Sequence, residues 1–158
     1  MLDAPRGAAL KASAVAPPGA HEAITALVHG YAEQLDDGDL EGVARLFRRS
    51  TYKAAGGDIR RGEAEVLAAL RRRIRLHDAL PRTKHVITNL VIEVDAAAGT
   101  ASSRSYFTVL QATARLPLQP IIAGRYHDRF ACADGAWHFT ARVIHIDLRG
   151  DLSEHLTP

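Results

Sequence analysis

The chain has 158 residues, the size of one domain that can bury roughly 70 % of its unfolded surface in a single core. Its 20 Lys and Arg stand against 18 Asp and Glu, and a net charge of +2 is too weak to demand nucleic acid or an anionic membrane as partner. The single cysteine, Cys132, excludes an internal disulfide and fits a reducing, cytoplasmic compartment.

Residues 1–19 are rich in Ala and Pro. Lys11 interrupts their apolar residues, so the run is too short and too weakly hydrophobic for export, and nothing else nears the roughly 20 apolar residues of a membrane helix. The expected layout is a disordered leader over 1–19, a folded domain over 20–149 and a tail over 150–158 without periodicity.

From His21 to Leu35, Ile24, Leu27, Val28, Tyr31 and Leu35 recur at helical spacing and predict an amphipathic helix. It ends in Asp36-Asp37-Gly38-Asp39, with Asp39 placed to cap a short second helix, Leu40 to Phe47. Asp36 sits at the negative end of the helix dipole, where a carboxylate is disfavoured, so it is either an exposed turn residue or drawn inward. Thr51 to Ala54 reads as a short strand before Gly56-Gly57. Gly62 to His77 reads as a third helix whose arginines, without interleaved aromatics, form a solvated face.

Thr83 to Asp95 is β-branched and apolar, yet carries a histidine and an asparagine where a core strand would carry Val or Ile. Alternation places His85, Ile87, Asn89 and Val91 on one face. His85 is therefore either a hydrogen-bonded structural histidine or, if that face is enclosed, a base in a cavity. A meander follows: Thr100 to Gln111, Ile121 to Ala133, the Asp134-Gly135 turn, and Trp137 to Leu148. Gly124, Tyr126, Asp128 and Phe130 share one face, while Phe139 and Val143 are expected on an outer face that a second copy of the chain would cover. The layout is α+β, a curved antiparallel sheet with about three helices on its concave side and a small-molecule cavity between them.

Tyr31 to Leu40 with Leu46-Phe47, then Thr83 to Asn89, Gly124 to Phe130 and Asp134 to Phe139 together resemble the SnoaL-like proteins of the cone-shaped NTF2-like fold. Scytalone dehydratase, lindane dehydrochlorinase and polyketide cyclases are relatives of that kind. In catalytic members an aspartate at the end of the first helix holds a sheet histidine as general base. Carried over, these are Asp36 and His85, and Tyr52 resembles a tyrosine that positions water or a substrate oxygen. The dehydratase's further histidine is replaced by the Arg104-Ser105-Tyr106 segment and its tyrosine before the aspartate by Leu35. The dehydrochlorinase's lysine and arginine are replaced by Tyr31 and Ala141. Neither specialised set is complete.

The resemblance implies a cofactor-independent enzyme that abstracts a proton from a small apolar cyclic substrate, by elimination, isomerisation or cyclisation. Tyr31, Asn89, Phe107 and Tyr126 would be its substrate walls or hydrogen-bond donors. The alternative is a non-catalytic ligand-binding protein or the small subunit of a ring-hydroxylating dioxygenase-like assembly. No metal is expected: His127, His145 and Asp147 lack a tight ligand motif and read as surface residues.

Overall fold

The computed structural model describes residues 19–157, so the expected disordered leader over 1–19 lies, all but Gly19, outside the described residues. Helix α1 spans Ala20–Asp36 and buries Ile24, Val28, Tyr31 and Leu35, one stripe at helical spacing. Gly38 then takes φ 75, where a Cβ would lie 2.5 Å from the carbonyl oxygen of Ala79, so glycine is required at this turn. Asp39 caps α2 (Leu40–Leu46) by accepting the Gly42 amide at 2.7 Å. Strand β1 (Thr51–Lys53) precedes β2 (Ile59–Arg61), a strand too short and too charged to stand out in the sequence. Helix α3 covers Gly62–Arg73 and buries Val66 and Leu70. It stops short of His77 because Ile74 turns extended and bridges Leu156, and the Arg75 amide donates to the His155 carbonyl at 2.9 Å.

Strands β3 (Thr83–Asp95), β4 (Thr100–Gln111), β5 (Gln119–Ala133) and β6 (Ala136–Arg149) complete a six-stranded sheet in the order β2-β1-β6-β5-β4-β3. The sheet is mixed rather than wholly antiparallel, because β1 pairs with β6 in parallel. Among the described residues no helix is long and apolar enough to cross a membrane.

Two bulges overturn the simple alternation. Asn89 takes a left-handed φ of 54 and the β3/β4 register slips between Thr88 and Val91. The inward set therefore runs Thr83, His85, Ile87 and then Leu90, Ile92, Val94, leaving Asn89 and Val91 exposed on the other face. In β6 the register slips around Thr140, since Phe130 pairs with Phe139 and Arg129 with Ala141. Phe139 thus lies in the core at 0 % exposure, not on the outer face, and Arg142 follows it inward. The outer face of β3 and β4 keeps Val86, Val91 and Tyr106 exposed.

Candidate active site

Between α1, α3 and the inner face of the sheet lies a cavity of about 180 Å³. Its walls are mostly apolar, with Leu35, Leu70, Val109, Ile122, Ile144 and Ile146 among them. Asp58, Arg60, Arg72, Arg73 and Arg149 stand among the lining as its charged, more exposed part.

Asp36, the last residue of α1, is buried against the start of β3. Its Oδ1 accepts from the Thr83 hydroxyl at 2.8 Å and meets His85 Nδ1 at 2.6 Å, while Oδ2 accepts the His85 backbone N–H at 2.8 Å. The donors supplied by β3 satisfy a carboxylate that the helix end itself disfavours. Burial pushes the Asp36 carboxyl up, but the His85 hydrogen bonds and charge and the Thr83 hydroxyl outweigh it and hold the group below its ordinary value. With the proton on Nδ1 directed at Asp36, the second nitrogen of His85, Nε2, is the one left for chemistry. The imidazole side chain is 8 % exposed and lines the cavity.

Tyr31, Tyr52, Phe107 and Tyr126 line the same cavity. The Tyr31 and Tyr52 hydroxyls hydrogen-bond each other at 3.0 Å, and Phe107 stacks on Tyr126 with centroids 4.3 Å apart. Burial pushes all three tyrosine hydroxyls upward, so they stay protonated. Gly124 permits this stack, since a Cβ there would lie 2.0 Å from the His145 carbonyl oxygen and 3.0 Å from the Phe107 ring. Asn89 is not in the cavity: the bulge turns it away from His85, correcting the face that alternation assigned it.

Two groups escaped the sequence reading. Arg142 is fully buried and binds Asp128 through two bonds, at 2.8 and 2.6 Å. Its guanidinium lies 4.1 Å from the Tyr31 ring centroid and 4.2 Å from that of Tyr126, against two rings of the cavity lining. Asp128 on an otherwise apolar face was the available signal, because a buried carboxylate needs a cationic partner. The second group is His155, in the stretch without periodicity, which also lines the cavity. On the outer face His127 and His145 lie side by side with ring centroids 4.7 Å apart, but Asp147 is engaged by Arg125 at 2.8 Å. Among the described residues no group of three or more His, Cys, Asp or Glu is arranged to hold a metal ion.

Comparison with curated proteins finds no match. Among solved structures, Rv3472 of Mycobacterium tuberculosis, a protein of unknown function, is similar at 28 % identity and TM-score 0.67, covering 80 % of this chain and 71 % of its own. A proposed scytalone dehydratase from Novosphingobium aromaticivorans is similar at 23 % identity and TM-score 0.67, covering 83 % and 86 %. The beta subunit of a proposed aromatic-ring-hydroxylating dioxygenase from the same organism matches at 22 % identity and TM-score 0.67, covering 86 % and 95 %. The shared architecture is the NTF2-like one. The family model of the SnoaL-like domain matches residues 19–143, and with the helix-and-sheet layout above, the chain belongs to the SnoaL-like family.

Proposed function

We propose that this protein is a cofactor-independent enzyme whose Asp36–His85 dyad abstracts a proton from carbon beside an activating group of a small apolar cyclic substrate. His85 Nε2 takes the proton, and the C–H electron pair forms a new double bond as a leaving group departs or a carbonyl oxygen gains charge. Asp36 holds the ring in one tautomer and balances the imidazolium that forms. The Tyr52 hydroxyl, set by Tyr31, positions a substrate oxygen, and Phe107 and Tyr126 give a flat ring an apolar wall.

The observation that carries this reading is the 2.6 Å contact between Nδ1 and Oδ1, made by side chains 8 % and 5 % exposed beside an apolar cavity. A base shielded from water and held in one orientation is suited to proton transfer from carbon. A ligand carrier of the same fold would keep the cavity and bind without turnover.

5-Nitrobenzisoxazole, a flat apolar bicycle that opens on losing one C–H proton, tests the reading. The wild type is expected to open it well above the rate of free imidazole. His85→Ala is expected to lose about 1000-fold and Asp36→Asn about 100-fold, within the usual range for a positioned base. Variants as fast as the wild type, or binding of the probe without opening, would remove the mechanism.

A further inference from the structure

Beyond β6 the chain folds back onto the cavity and is fastened there. The Leu156 amide donates to the Leu152 carbonyl at 3.0 Å, and the Thr157 amide donates to the Arg73 carbonyl at 2.8 Å. Glu154 is buried, and its carboxylate meets Arg115 at 2.9 Å, Arg75 at 3.7 Å and His77 at 4.0 Å. The Glu154 carbonyl also accepts from the buried Gln111 amide at 3.1 Å. A segment tied at this many points presents its next residue in a fixed place.

That residue is His155, 8 % exposed and part of the same cavity lining as His85. Its Nδ1 is sealed off with no hydrogen-bond partner among the described residues, so Nε2 is the ring nitrogen left for a ligand. Placing the proton on Nε2 avoids a buried N–H without an acceptor. Burial, and after it the charge of His85, pushes the His155 imidazole down to about 4 against the opposing pull of Asp36, so at neutral pH it is uncharged and keeps one N–H to donate.

We propose that His155 is a second substrate-facing group of this site: its Nε2–H donates a hydrogen bond to the substrate oxygen that gains charge as His85 takes the proton. The inference rests on the base reading above and narrows the substrate class to apolar rings that carry an oxygen as leaving group or carbonyl. A neutral imidazole suits that task, because it can polarise an oxygen without protonating the base beside it.

Two benzisoxazoles separate this role from a wall. In each, the C3 proton moves to His85, the C–H pair becomes part of the nitrile, the N–O bond breaks, and the oxygen leaves with the N–O pair as phenolate. The unsubstituted compound has the poorer leaving oxygen and depends more on a donor. His155→Phe is expected to lose about 100-fold in kcat/KM on unsubstituted benzisoxazole and about 10-fold on the 5-nitro compound, with His155→Gln recovering part of each. An equal loss on both compounds, or none, overturns the proposal. His85→Ala at background with His155→Phe at wild-type rates leaves the base reading standing and removes this one. A second measurement needs no variant: adding 4-nitrophenol to wild type labelled with 15N in its histidine rings should shift the His155 Nε2 resonance. An unmoved resonance under saturating phenol counts against the contact.

Discussion

Two acid–base pairs tie this fold together, and they differ in what is left over once each is made. Asp36 and His85 join the end of α1 to the start of β3 at the wall of a cavity, and one imidazole nitrogen remains uncommitted. Asp128 and Arg142 join β5 to β6 at 2.6 and 2.8 Å with side chains at 0 % exposure; both carboxylate oxygens are used, and the Arg142 Nη1 left without a hydrogen-bond partner among the described residues is itself buried. A guanidinium does not give up its proton in the working pH range, so the sealed pair can only hold Tyr31 and Tyr126 in place. A pair with a spare nitrogen beside a cavity can move a proton. The difference separates chemistry from scaffolding more sharply than burial alone.

The comparison breaks most visibly at the sealed pair. Asp128→Ala strands the Arg142 charge and is expected to cost about 4 kcal/mol of unfolding free energy by denaturant titration. Asp128→Leu combined with Arg142→Met should regain most of it, because a buried pair is worth little against well-packed apolar replacements. At the cavity pair the order reverses: Asp36→Asn should lose about 100-fold in rate while keeping more stability than Asp128→Ala.

The pH dependence sharpens the contrast. His155 binds its proton near 6.5 when unfolded and at about 4 in the fold, so the unfolded state holds more protons between those values. Stability is then full above pH 6.5 and falls as the pH drops toward 4, by up to about 3 kcal/mol. Asp36, held below its ordinary value, contributes stability that is lost only lower still, as pH falls through its folded value. Thermal melts from pH 7 to pH 4.5 should show the decline in wild type and a flatter profile in His155→Gln. Tyr52→Phe, which removes one hydroxyl of the 3.0 Å pair with Tyr31, should cost about 1 kcal/mol in the same melts.

Much of this architecture is legible in the residues. Thr83–Asp95 and Thr100–Gln111 appear as strands with the bounds the pattern indicates, and Asp39 caps the helix it was placed to cap. Periodicity fails where the backbone inserts a residue. At Asn89 the left-handed turn moves a polar side chain out of the cavity, and at Thr140 the slip brings Arg142 into the core. Neither bulge has a glycine to mark it. His155 was hidden for another reason: its place is fixed by ion pairs and backbone bonds to distant residues, which leave no local pattern.

The most direct test of the Asp36–His85 account is the initial rate of ring opening of 5-nitrobenzisoxazole, measured with hydrogen and with deuterium at C3, in wild type and in Asp36→Asn. The account predicts a wild-type rate above that of free imidazole, a primary isotope effect, and a large fall in the variant. A rate indifferent to the isotope, or equal in the two proteins, would contradict it.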